Sequence, residues 1–125
     1  MLALVAAAAL ALGGCGGGTA PSVDGAGDSP LPVGTVVQVT EHEFQIILSQ
    51  ETFTAGDYAF KLGNDGTVVH NLTIAGPGLD GAQSPDVLPG ETGLLNVTLE
   101  KGTYELWCTI GNHKASGMDI TITVS

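Results

Sequence analysis

Three side chains able to bind a soft metal, Cys108, His113 and Met118, follow one another with four residues between each pair, and His70 lies upstream in a strand-like run. A thiolate, two imidazoles and a thioether form the donor set of a mononuclear blue-copper electron-transfer site. The thiolate and thioether favour Cu(I), and the imidazoles serve Cu(II) as well, so both oxidation states can keep nearly one geometry. Zinc is less well served, because its protein sites are built from Cys, His and carboxylates and not from Met. The residues concerned are scarce: the chain has two Cys, two Met and three His. Met1 and Cys15 belong to the N-terminal segment, and the other Cys and Met fall with one His between Cys108 and Met118.

Each of these residues has a plainer reading when taken singly. His70 alone is a hydrogen-bonded core histidine, and Cys108 and Met118 alone are apolar core filler. It is the combination, in this order and spacing, that points to copper. The third histidine, His42, stands between Glu41 and Glu43 and is expected on the surface of the first hairpin, with no metal role.

The elements that must hold these side chains are short strands. Val37 and Val39 open the first, and Phe44, Ile46 and Leu48 alternate through the second. Tyr58, Phe60 and Leu62 alternate with Ala59 and Lys61, as a half-buried strand does. Val68, His70, Leu72 and Ile74 are expected on one face of the next, where a histidine is costly unless paired or metal-bound. Gly76 to Gly90 reads as a long loop, and Leu95, Val97 and Leu99 form a further alternating run. Tyr104, Leu106 and Cys108 share a face, with Cys108 expected as the last residue of its strand. Thr109 to Gly117 reads as a loop around one ion, and Met118 as the start of the final strand through Ile120, Ile122 and Val124. Seven or so short strands at this spacing argue an all-β sandwich or small barrel.

Composition narrows the function further. The 125 residues suit one domain, and the net charge is −10 with only three Lys or Arg. Nucleic acid is excluded as a partner, because phosphate binding needs clustered cations. A protein partner is expected to be basic or apolar at the contact. Residues 2–12 form a continuous apolar run, too short to span a bilayer and of the length of a signal segment. The run ends in Leu12-Gly13-Gly14-Cys15, which resembles the lipobox of bacterial lipoproteins, although no Lys or Arg precedes it. That resemblance implies a signal peptide over 1–14 and lipidation at Cys15, hence export to the outer face of the cytoplasmic membrane or the periplasm. Residues 16–33 are rich in Gly, Ser, Pro and Asp. They read as a flexible tether of about 23 Å r.m.s. length, following Cys15 and preceding a domain over 34–125. Two of the thirteen acidic residues, Asp24 and Asp28, go with the tether, so eleven remain in the domain against three Lys, a net charge of −8.

From Val36 to Ser125 the chain resembles the cupredoxin family of plastocyanins, azurins, auracyanins and rusticyanins. The stretches that carry the resemblance are Ala55-Gly56-Asp57-Tyr58, Asn64-Asp65-Gly66 leading to His70-Asn71, Gly90-Glu91-Thr92, and Gly102 to Cys108 leading to His113 and Gly117-Met118. The resemblance implies a Greek-key β-sandwich of seven to eight strands holding one type 1 copper. His70, Cys108 and His113 would be its trigonal ligands and Met118 the long axial one. Asn71 would tie the two ligand segments together beside Thr109 and help to hydrogen-bond the sulfur. The edge of His113 would be the electron port, ringed by Val68, Val69, Asn112 and Ala115, with Lys114 alongside. The implied function is that of a monomeric, non-enzymatic one-electron carrier serving redox partner proteins. The alternative is a copper chaperone or storage module without redox turnover, which a single internal Met and a closed ligand loop disfavour.

Overall fold

The computed structural model describes residues 30–125, so the expectations on residues 1–29, Cys15 included, lie outside the described residues. Eight strands make up the fold: β1 (Thr35–His42), β2 (Gln45–Leu48), β3 (Gly56–Asn64), β4 (Thr73–Gly76), β5 (Leu79–Gln83), β6 (Thr92–Leu99), β7 (Gly102–Trp107) and β8 (Asp119–Val124). A single-turn helix, α1 (His113–Ser116), precedes β8. The strands form two four-stranded sheets, in the orders β2-β1-β3-β6 and β5-β4-β7-β8. The chain crosses between sheets after β3, β5 and β6, which gives the all-β, Greek-key sandwich expected from the sequence. β1 and β3 run parallel, and the other paired strands run antiparallel.

Period-two alternation builds most of these strands. In β6 Leu95, Val97 and Leu99 are buried between exposed Asn96 and Thr98, and in β7 Tyr104 and Leu106 are buried. β1 buries Val37, Val39 and then Glu41 on the same face. β3 departs from simple alternation, because Ala59 is buried along with Tyr58 and Phe60. Ala59 lies opposite Asn96 in the register, and Asn96 accepts from the Val33 N–H and donates to the Leu31 carbonyl. Residues 31–33 are thereby held across the outer face of the sheet, just ahead of the domain start expected at 34.

Three expectations about local structure change. The run around His70 is not a continuous strand: β4 begins only at Thr73, and Val68 is exposed. The Asn64 side chain donates to the carbonyls of both Val68 and Val87, 2.8 Å each, and so replaces part of a ladder there. The expected loop from Gly76 to Gly90 contains β5, which pairs with β4 through a register shift between Ile74 and Ala75. The ligand loop contains α1, and β7 and β8 stop at Trp107 and Asp119, one residue short of Cys108 and Met118.

Candidate metal centre

The site lies at the end of the sandwich where β7 runs out and β8 begins. β7 and β8 are paired up to Trp107 and Asp119, and the Cys108 N–H donates to the Met118 carbonyl at 3.1 Å, one step beyond the ladder. The Met118 N–H in turn donates to the His113 carbonyl at 3.0 Å. The backbone therefore ties all three residues of the loop together. Gly117 closes the turn with φ 129°, and a Cβ there would lie 2.9 Å from the Phe44 carbonyl oxygen, so glycine lets the loop seat on the β1–β2 turn. His70 comes from the other segment, pinned by reciprocal backbone bonds to Val87 of 3.1 and 2.8 Å.

These elements bring His70, Cys108 and His113 together, with one donor atom from each within 4.8 Å of the others. Nδ1 of His113 lies 3.6 Å and Nδ1 of His70 lies 4.0 Å from the Cys108 sulfur. Cys108, His70 and Met118 are fully buried, and His113 alone of the three clustered donors reaches solvent. Val68, Asn112 and Ala115 are exposed and Val69 is half-buried. Lys114 forms an ion pair with Glu105, and its ammonium sits 4.4 Å over the Trp107 ring. His42 ends β1 and is partly exposed.

The surroundings set the protonation of the donors. Burial lowers the pKa of His70 below its ordinary 6.5, against the pull of the Glu43 carboxylate, so its ring is neutral at neutral pH and can offer a lone pair. Burial raises the Cys108 thiol above its ordinary 9.0, while the backbone N–H groups of Asn71 and Ile110 act in the opposite sense on the sulfur. A metal bound there must displace that proton. Asn71 bridges the two segments: its Oδ1 accepts from the Thr109 N–H at 2.9 Å, and its Nδ2 donates to Thr109 Oγ1 at 2.8 Å and to Asp86 Oδ1 at 2.9 Å.

No protein-family model matches the chain, and no curated protein matches it. Solved structures do. Auracyanin A, a blue copper protein from the green thermophilic photosynthetic bacterium Chloroflexus aurantiacus, aligns with a TM-score of 0.60 over 73% of this chain and 98% of its own, at 18% identity. Auracyanin B aligns with a TM-score of 0.61 over 78% of this chain and 92% of its own, at 21% identity. The chain has a cupredoxin fold. The fold also recurs inside larger proteins: the copper-containing nitrite reductase of Thermus scotoductus aligns with 73% of this chain at a TM-score of 0.57 and 12% identity, over 31% of its own length.

On this fold the residues present fit a type 1 copper. A buried thiol and two imidazoles that turn Nδ1 toward it are soft and borderline donors in one cluster, and buried Met118 is tied to Cys108 and His113 through its backbone. Three residues around the pocket were not singled out by the sequence. Glu43, in the turn between β1 and β2, places Oε1 3.0 Å from Nε2 of His70, on the ring edge away from the sulfur. Phe44 beside it meets the His113 ring edge-on, with centroids 5.1 Å apart. Glu41 is fully buried, and among the described residues neither of its carboxylate oxygens has a hydrogen-bond partner. Only Glu41 left a signal in the sequence, as the next member of the alternation Val37, Val39, Glu41.

Proposed function

We propose that the protein is an exported one-electron carrier in which His70, Cys108 and His113 are trigonal copper ligands and Met118 is the axial one. The observation that supports this most strongly is the convergence of three donor atoms within 4.8 Å, two of them on fully buried residues. Bound copper supplies the redox couple, Cu(II)/Cu(I). The protein holds the donors on backbone-tied segments, so that little rearrangement accompanies a change of charge. Burial of Cys108 and Met118 keeps water from the sulfur ligands, and four protein donors leave no open position for a substrate. That closed set favours a carrier over an enzyme. His113, the partly exposed donor, is the route by which an electron enters and leaves, and the exposed Val68, Asn112 and Ala115 around it form the contact for a redox partner. The domain charge of −8 steers a basic partner toward the molecule.

The apolar run at 2–12 and the sequence Leu12-Gly13-Gly14-Cys15 support lipid anchoring through Cys15 at the outer face of the cytoplasmic membrane or in the periplasm. The deciding experiment is voltammetry of the protein loaded with one equivalent of copper, in the presence of a Cu(I) chelator. A carrier shows a reversible one-electron wave and keeps its metal through repeated cycles. Transfer of the copper to the chelator on reduction would assign the protein to metal delivery instead.

A further inference from the structure

The β1–β2 turn aims a carboxylate at the buried histidine, and the fold builds a cradle for it. Oε1 of Glu43 accepts from the backbone N–H of Thr67 at 2.8 Å and of Val68 at 3.0 Å, besides its 3.0 Å contact with His70 Nε2. Gly66 completes the cradle, since a Cβ there would overlap the carboxylate. Two backbone N–H donors and the His70 ring converge on that one oxygen, a donor set that suits a carboxylate. His70 is itself fully buried, and its other nitrogen, Nδ1, faces the Cys108 sulfur. A carboxylate on the far nitrogen of a metal-bound imidazole fixes the tautomer and raises the basicity of the ligating nitrogen.

We infer that Glu43 is a positioning residue that holds His70 in its Nε2–H tautomer and, through that ring, biases the site toward the oxidised metal and a lower reduction potential. The inference rests on the copper reading above. No bond is made or broken in the electron step, and the proton stays on Nε2. The anion stabilises the more highly charged metal more, so its removal favours Cu(I). Partners of metal-bound histidines typically carry 10- to 100-fold in metal affinity. At the lower end, Glu43→Gln should weaken Cu(II) binding about tenfold relative to Cu(I), which is a rise of about 59 mV for one electron.

The test compares the reduction potentials of the wild type, Glu43→Gln and Glu100→Gln. Glu100 is exposed at the β6–β7 turn, at the opposite end of β7 from Cys108, roughly 20 Å away by strand rise and beyond the screening length. Its loss removes the same charge and should leave the potential unmoved. A Glu43→Gln shift no larger than that of Glu100→Gln would overturn the inference. The second readout needs neither metal nor variant: ¹⁵N NMR of the copper-free wild type should show His70 as the Nε2–H tautomer, and an Nδ1–H ring would overturn the inference equally. These failures are distinct from failure of the copper reading, in which the wild type would take up no blue copper at all.

Discussion

Replacement of Glu41 by glutamine should change how stability depends on pH. Glu41 is fully buried on the core face of β1, and its carboxylate oxygens have no hydrogen-bond partner among the described residues. Burial raises its carboxyl from 4.5 to about 7. The native state therefore binds a proton that the unfolded chain has already released between those two values. Stability contributed by this group is fully present below about pH 4.5, is lost as pH rises toward 7, and stays lost above. At about 1.4 kcal/mol per pH unit, the loss is about 3 kcal/mol. His70 acts in the opposite sense, since its lowered value makes stability rise with pH below 6.5. The wild-type profile alone therefore mixes the two, and the difference between variant and wild type isolates Glu41. Urea unfolding of the metal-free proteins from pH 4.5 to 8 is the assay. Relative to the wild type, Glu41→Gln should gain about 3 kcal/mol across that window. Its absolute level is less diagnostic, because a buried amide brings its own unpartnered donors. Parallel profiles for the two proteins would refute the reasoning and mean that the Glu41 carboxyl is solvated or paired in solution.

Three further outcomes are expected. Met118 should tune the site without building it: the order of reduction potentials should be Met118→Leu above wild type above Met118→Gln, because a harder oxygen donor favours Cu(II) and loss of the donor favours Cu(I). Steps of about 59 mV per tenfold change in relative affinity are the scale, read by voltammetry with copper bound in all three. Ala115→Glu beside the port should slow electron exchange with a partner that is apolar at the contact about fivefold in stopped-flow kinetics, as about 1 kcal/mol of unfavourable contact would, without altering the visible spectrum. Cys15→Ala should release the protein from the membrane fraction on cell fractionation, whereas retention of the variant there would refute lipidation at that residue.

Much of the site was legible because its chemistry depends on rare residue types. Cys108, His113 and Met118 advertise themselves by scarcity and spacing, and the alternation through Tyr104 and Leu106 gave the inward direction of the sulfur. β1, β6, β7 and β8 were legible for the same reason, each burying alternate residues of one apolar face. β5 was not, since Leu-Asp-Gly-Ala-Gln carries no apolar alternation and none of its residues is fully buried. The helix of the ligand loop is one turn long and buries nothing, so no periodicity could reveal it. Glu43 and Phe44 are unreadable for a different reason. Glu43 stands 27 positions from the histidine it serves, and only the packing of the β1–β2 turn against both ligand segments brings the two together.

The central claim, that Cys108 is a thiolate ligand of one copper ion, is tested most directly by the visible absorption spectrum of the purified protein titrated with Cu(II). An intense thiolate-to-copper charge-transfer band should rise to saturation at one equivalent, turn the protein blue, and be missing from Cys108→Ser at every ratio. Stoichiometric copper binding by the wild type with no such band, or an unchanged band in Cys108→Ser, would contradict it.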